Sequence, residues 1–421
     1  MSKTKTLREP TQIHERIAAI DILRGFALLG ILLVNFAGSE AARTGPIDDQ
    51  VRHLLTFLVS AKFYTTFSFL FGLGFAMQLI RAQQRQSRIV PVYLRRMAVL
   101  FLIGAFHAVL IWSGDILKMY AVMGVVLILF RKLPGKVLLI VAVLSLGFEF
   151  WTFQPSAPPE RFADLLPARH DPEMEQQKAL QEILQYAGIR EAGQQKQLAI
   201  RAGTYGQAVK ARFQFEKAQS GYWTTFFMGS SFAMFLLGLY AGRRGIFHDL
   251  GGRRKYLCRV MWAVLPLAIL CNLFLGYGRQ LFSRIFQMIP DWASSIIIVL
   301  AGPLGSLFYI SALLLLLSRS EKWIRRLGFL RWIGRMPLTN YLMQSVVGTL
   351  VYYHYGLGLH YRLSFLQGLL LTVAVFAAQI PLSRWWLSRF KFGPMEWLWR
   401  TLTYGHIQPM RERRLKPAEA S

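Results

Sequence analysis

The sequence predicts an all-α, polytopic membrane protein with about ten transmembrane helices, both termini cytoplasmic and one helical segment on the opposite face. Two observations carry that expectation: about ten long apolar stretches, and Lys and Arg gathered in every second gap between them. Composition agrees, with 54% hydrophobic against 17% charged residues. A helix that crosses hydrocarbon needs roughly 20 mostly apolar residues, because no water is present to satisfy exposed backbone groups. The stretches fall at 18–36, 55–80, 93–112, 116–131, 137–153, 222–242, 257–277, 291–317, 337–355 and 363–387.

Cytoplasmic loops hold the excess of Lys and Arg. Lys3, Lys5, Arg8 and Arg16 precede the first stretch, and Arg81, Arg85, Arg88, Arg95 and Arg96 surround the second gap. The fourth, sixth and eighth gaps are basic too, as is the tail after 405. The odd gaps are poor: Arg43 and Arg52 are diluted by Glu40, Asp48 and Asp49, and Ser113–Asp115 is only a turn. The formal charge of +27 is thereby read as attraction to an anionic leaflet, not as nucleic-acid binding, which needs its basic residues on one soluble surface. Trp112, Trp151, Trp223, Trp292, Trp323 and Trp332 lie near stretch ends, where amphipathic rings prefer the headgroup zone. The first apolar run is long and is followed by further spans, the pattern of an uncleaved anchor.

Taken in order, the first span opens on Asp21 and Arg24, three apart and able to pair on one helix face, with an N-terminal cap and a membrane-edge Arg as the plainer roles. Gly25 and Gly30 permit close helix approach, as do Gly72 and Gly74 in the second span. Asn35 ends the first span on the outer side. Lys62 lies about eight residues into the second, roughly 12 Å deep, where an ammonium is expected to face a cavity, a carboxylate or a carbonyl; a shifted span register that leaves it near the surface is the plainer alternative.

His107 sits in the outer half of the third span, and Asp115 follows eight positions later. In one continuous helix the two would stand about 12 Å apart. A tight turn at Ser113–Gly114 instead folds Asp115 back toward His107, where a carboxylate orients an imidazole and stabilises its protonated form. A plain N-cap of the fourth helix is the compatible simpler role for Asp115. Tyr120 is one turn inside that helix. Asn35, Lys62, His107, Asp115 and Tyr120 thus share one half of the membrane by depth.

Residues 154–220 form the one substantial polar segment, with nine Lys and Arg against eight Asp and Glu. Pro155, Pro158 and Pro159 open it, and Leu180, Ile183, Leu184 and Ala187 recur at helical spacing. It is read as amphipathic helices on the outer face, either a pocket cover or a linker between membrane halves 1–153 and 221–405, with 406–421 a cytoplasmic tail. Cys258 and Cys271 are thirteen apart on one helix, which excludes an intrahelical disulfide; no zinc or iron–sulfur spacing exists and no metal is expected. Asn340, Tyr341 and Gln344 line one side of the ninth span, and Gln379 and Ser383 lie in the tenth, where interhelical hydrogen bonding accounts for them. No internal repeat of the transporter kind is visible.

Several ordered strings carry a resemblance: Asp21-Ile-Leu-Arg-Gly to Asn35, Lys62-Phe-Tyr, Phe67-Ser-Phe-Leu-Phe-Gly-Leu-Gly-Phe75, Trp112-Ser-Gly-Asp-Ile-Leu117 with Tyr120, Gly334-Arg-Met-Pro-Leu-Thr-Asn-Tyr-Leu-Met-Gln-Ser345, and Phe392-Gly-Pro-Met-Glu through Gly405. Together they resemble the YeiB family of bacterial inner-membrane proteins, over both ends of the chain and most spans. More distantly the chain is similar to transmembrane acyltransferases that carry acyl groups from cytoplasmic acyl-CoA to extracytoplasmic sugars, the lysosomal heparan glucosamine acetyltransferase among them. That enzyme's His lies in the loop after its first matching span, where this chain has His53.

The resemblance implies a membrane acyltransferase in the bacterial inner membrane, with acyl-CoA as donor and a glycan or lipid as acceptor. On that expectation His107 is general base, Asp115 orients it, and Lys62 with Asn35 stabilises the thioester oxyanion. Arg24 and its basic neighbours hold the CoA phosphates, while Asp21, Tyr120 and Gln344 complete the substrate contacts. The alternative is a small-solute transporter that uses Lys62, His107 and Asp115 as a relay. A third reading takes the polar residues as helix glue in a scaffold.

Overall fold

A computed structural model describes residues 17–36, 45–152, 188–219, 228–281 and 290–411. The expectations for Lys3, Lys5, Arg8 and Arg16, for the Pro155–Ala187 portion and for the last ten residues lie outside them. Every regular element among the described residues is helical. We number them α1 (Ala18–Phe36), α2 (Pro46–Leu58), α3 (Lys62–Gln84), α4 (Val90–Phe106), α5 (Leu117–Leu127), α6 (Gly135–Thr152), α7 (188–202), α8 (Tyr205–Ala218), α9 (Met228–Arg243), α10 (Arg254–Leu281), α11 (Asp291–Arg319), α12 (Glu321–Arg326), α13 (Gly328–Arg335), α14 (Pro337–Tyr352), α15 (Phe365–Leu387) and α16 (Pro394–Tyr404). A π turn, His107–Ile111, continues α4, and a 3₁₀ turn, Ile128–Phe130, continues α5.

Among the described residues, seven helical stretches are long and apolar enough to cross a membrane: Ala18–Phe36, Pro46–Gln84, Val90–Ile111, Gly135–Thr152, Arg254–Gly278, Trp292–Arg319 and Phe365–Leu387. Of the three remaining stretches of the sequence reading, two are shorter apolar helices, Leu117–Phe130 and Pro337–Tyr352, and the described part of the third is helical over Met228–Arg243. Burial sorts the helices into layers. Two thirds of the apolar window of α1 is inside the protein, whereas only 17% of that of α6 is. Phe106, Leu129, Val143, Leu144, Trp262, Leu270 and Leu370 instead face outward. An apolar exterior of that extent is stable only against lipid.

Glycine sets the crossings of the inner layer. A Cβ at Gly72 of α3 would stand 1.9 Å from the Phe235 carbonyl oxygen of α9, and one at Gly238 of α9 would stand 2.0 Å from that of Phe69. The same reciprocity joins Gly25 of α1 to Leu330 and Gly334 of α13 to Asp21. Gly30 accommodates the Phe63 ring. Gly74 does none of this: nothing lies within 4 Å of its Cβ position, which corrects its expected packing role.

The 55–80 stretch is not one helix. It breaks at Val59–Ala61, where Ala61 takes a left-handed φ of 64°, and Lys62 begins α3. At the other end of the molecule α16 is locked to α14. Glu396, buried, accepts from the Leu338 and Thr339 amides at 2.6 and 3.1 Å and from the Thr339 hydroxyl at 2.6 Å, so it caps α14 across the chain. Met395 N donates back to Thr339 Oγ1 at 3.0 Å. Glu396→Ala leaves those donors orphaned and is expected to destabilise by about 2 kcal/mol or more, read as a lower Tm of the detergent-solubilised protein; Glu396→Gln costs less.

Candidate functional site

The centre of the site is a buried imidazole–carboxylate pair. His107 Nδ1 lies 2.8 Å from Asp115 Oδ2, with the two side chains 0% and 1% exposed. The turn that brings them together is short: the π turn ends at Trp112, whose ring covers Gly114, and α5 starts at Leu117. Asp115 also caps α5, since Oδ1 accepts from Lys118 N at 2.9 Å. The capping and orienting roles are therefore filled by different oxygens of one carboxylate. Gly104 on α4 makes room for it, because a Cβ there would meet Asp115 Oδ1 at 2.8 Å. His107 Nε2 is buried without a hydrogen-bond partner among the described residues, packed by the rings of Tyr341 at 5.2 Å and Trp112 at 6.3 Å.

Two cavities lie along α1 from its two ends; His107 and Asp115 line neither, but both cavities reach Tyr341, whose ring packs on His107. The larger, about 230 Å³, has a basic mouth formed by Arg24, Arg81, Arg96, Arg335 and Arg400, with Asp21 and Glu396 among them. Its walls are apolar, from Leu28, Phe67, Leu70, Phe71 and Met97, and it ends at Ile31, Ile116, Tyr120 and Tyr341. The smaller, about 80 Å³, is lined by Asn35, Tyr64, Gly114 and apolar residues, and it too reaches Ile31, Ile116 and Tyr341. Those three side chains are the partition between the cavities. Tyr341 touches both cavities and the His107 ring, and its hydroxyl donates only a long 3.4 Å bond, to Gly114 O.

The residues expected from sequence distribute unevenly over this geometry. Asp21 and Arg24 pair at 3.2 Å at the mouth of the larger cavity, leaving Asp21 Oδ2 unpartnered among the described residues. Tyr120 lines its deep end and donates to Tyr64 O at 2.6 Å, and Asn35 lines the smaller cavity. Lys62 is in neither lining. Its ammonium donates to Ser60 O at 3.0 Å and Thr56 O at 3.4 Å, and its stem crosses Gly305. The ammonium serves the α2–α3 break and faces neither cavity, so its expected oxyanion role finds no support in the geometry. Gln344 is likewise not in either lining: Nε2 donates to Gln379 Oε1 at 2.8 Å, tying α14 to α15. His53 holds Gly276 O at 2.6 Å, on α2 and away from both linings.

Sequence reasoning missed Tyr341, Tyr64, Gly104 and Arg212 as parts of the site. Arg212 had a signal: Ala208, Ala211 and Phe215 form an apolar stripe on α8, and a buried Arg interrupts it. Among the described residues no group of three or more His, Cys, Asp or Glu side chains converges on a common point.

These features define a helical membrane protein with a buried imidazole–carboxylate pair, and the comparisons find an acetyltransferase domain as the match to its first third. Residues 16–165 match the family described as "Heparan-alpha-glucosaminide N-acetyltransferase, catalytic", and residues 241–406 match "Protein of unknown function (DUF418)". The uncharacterized protein YxaH of Bacillus subtilis (strain 168) is 34% identical over 96% of this chain and 98% of its own length. The uncharacterized protein YeiB of Escherichia coli (strain K12) is 29% identical over 92% and 96%. An uncharacterized 39.9 kDa protein from the amylase 3′ region of Bacillus acidopullulyticus is 32% identical over 96% and 98%. The chain belongs to the YeiB family. The first matched region carries His107, Asp115, Asp21, Arg24, Asn35 and Tyr120; the second supplies Tyr341 and Glu396, so the site draws on both.

Proposed function

We propose that the protein transfers an acyl group from acyl-CoA, entering by the larger cavity, to a hydroxyl or amine of a glycan or lipid acceptor that approaches from the smaller one. The observation that carries this is the partition: two cavities of opposite orientation end on the same three residues, one of which, Tyr341, packs against the buried His107 ring. In orientation, the basic mouth faces the cytoplasm of a bacterial inner membrane, both termini lie on that side, and the three other apolar stretches complete ten membrane passes.

The arginines at the mouth suit a polyphosphate, for which guanidinium forks are the matched partner. The apolar walls suit the pantetheine arm and acyl chain. At the partition the acceptor oxygen or nitrogen attacks the thioester carbonyl carbon, a C–O or C–N bond forms, and the C–S bond breaks. His107 Nε2 takes the acceptor's proton and returns it to the departing CoA thiolate. Asp115 holds Nδ1 and stabilises the imidazolium, as in other base–orienter pairs. Asn35 is the oxyanion donor in this scheme. Lys62 keeps the α2–α3 break in register, and no role at the thioester is retained for it. Tyr341 must turn aside for donor and acceptor to meet.

Proteoliposomes supplied with radiolabelled acetyl-CoA test the reading directly. Label transferred to lipid or glycan is the expected result; solute counterflow with no use of CoA would replace it with the transporter alternative. That alternative has less support, because Lys62 is bonded to backbone carbonyls and not linked to His107 in a relay. Arg24→Glu is expected to raise the KM for acetyl-CoA roughly tenfold with kcat nearly unchanged, the signature of lost uniform binding.

A further inference from the structure

Helix α8 presents one fully buried cation, Arg212, to the turn that carries His107. Its Nε donates to Val109 O at 2.9 Å, one terminal nitrogen to Leu110 O at 2.9 Å and the other to Ile111 O at 2.8 Å. A helix end leaves its last carbonyls without intrahelical donors. Here the π turn closes with Trp112 N on His107 O at 2.8 Å, and the next carbonyls would otherwise be orphaned at depth. A planar guanidinium offers five donors in a fixed fork, enough to answer three consecutive carbonyls at once.

The rest of α7 and α8 grips the same turn. Tyr205 Oη donates to Leu110 O at 3.0 Å, Lys196 Nζ to Ser113 Oγ at 3.3 Å, and Glu216 pairs with Lys118, the residue whose amide donates to Asp115. Toward the second half, Arg212 lies 5.9 Å from the Tyr353 ring centre, just past the end of α14, and His354 N donates to Ile200 O at 2.9 Å. Helix α14 carries Tyr341. One side chain therefore touches the ends of both elements that flank the imidazole.

A π turn is a strained local choice that an unconstrained sequence relaxes toward α. Relaxation by one residue would rotate the segment leading to Asp115 and separate the pair. We propose that Arg212 is a positioning residue, which holds the His107–Ile111 turn in its π register so that Nδ1 meets Asp115. The α7–α8 hairpin is then part of the site's machinery and not a linker between membrane halves. The kinetic half of this inference rests on the acyl-transfer reading; the structural half does not.

The test is hydrogen–deuterium exchange across residues 107–118 together with acetyl-CoA kinetics, on the full chain in detergent. Arg212→Met removes every donor at similar length. Tyr205→Phe removes one bond to Leu110, and Arg201→Met, on α7 over Tyr361, is the control. The expected result is exchange at the Trp112 amide raised at least roughly tenfold in Arg212→Met, less in Tyr205→Phe and not at all in Arg201→Met, with kcat down roughly 100-fold and KM for acetyl-CoA within about twofold, the size of a small misplacement of a catalytic group. Should Arg212→Met fail to fold, the graded response of Tyr205→Phe and Arg212→Lys decides. Unchanged exchange in 107–118, or an increase spread evenly over all the helices, overturns the inference. If the wild-type protein transfers no acyl group, the function falls while the exchange measurement still judges the clamp.

Discussion

His107→Ala is expected to abolish acyl transfer, by roughly 1,000-fold or more, while the protein still inserts and folds. General-base catalysis by a positioned side chain contributes about 10²–10⁴-fold, and nothing else among the described residues stands beside the partition with an unpartnered basic nitrogen. The folding effect is smaller. Removing the ring frees Asp115 Oδ2, but Oδ1 keeps its bond to Lys118 N, so the loss is about 1–3 kcal/mol, the scale of one buried polar group left unmet. Asp115→Asn separates the two roles of that carboxylate: the amide oxygen can still cap α5, while the charge that favours imidazolium is gone. Its expected activity lies between wild type and His107→Ala. Label transfer at the wild-type rate by purified His107→Ala would reduce the pair to a buried interhelical bond.

The pair was legible because chain length constrained it. Between His107 and Asp115 the sequence leaves room only for a turn, and a turn between two apolar runs must return the chain beside itself. Lys62 shows the opposite case. Hydropathy averages over 55–80, and no Gly or Pro marks the break at Val59–Ala61, so the residue read as deep in a span begins a new helix. Its long stem then returns the ammonium to carbonyls only two and six residues away. Gln344 was visible as a polar residue in a span, but pattern alone gives no partner, and its partner is another glutamine on α15. Tyr341 was hardest to recognise: a tyrosine in an apolar helix acquires meaning only when two cavities are found to end on it. The ninth apolar stretch was read as longer than its helix because hydropathy runs on into the turn at 353–355, whereas the helix stops at 16 residues.

Gly334→Val is expected to prevent accumulation of folded protein, whereas Gly74→Val folds and fails at the donor. Both glycines lie in motif strings, so the strings do not distinguish them; the space around each does. A Cβ at Gly334 would sit 1.8 Å from Asp21 O and 2.8 Å from Gly25 N, against backbone that cannot rotate away. Helices in lipid associate through such small-residue contacts, without a hydrophobic force to compensate when they part. Forcing α1 and α13 apart therefore costs at least about 3 kcal/mol, the upper range of overpacking, and displaces the turn that carries Asp21 and Arg24 at the cavity mouth. Gly74 meets nothing within 4 Å and borders the larger cavity. Replacing it by Val improves helix propensity by a few tenths of a kcal/mol, so folding is spared. The added methyl groups instead project into the space assigned to the pantetheine arm and acyl chain. The expected signature is a near-normal Tm with a KM for acetyl-CoA raised roughly tenfold, checked by thermal melts and label transfer on the same preparation. Normal donor kinetics in folded Gly74→Val would mean that the larger cavity is not the donor's path, and the arginines at its mouth would then serve orientation in the bilayer alone.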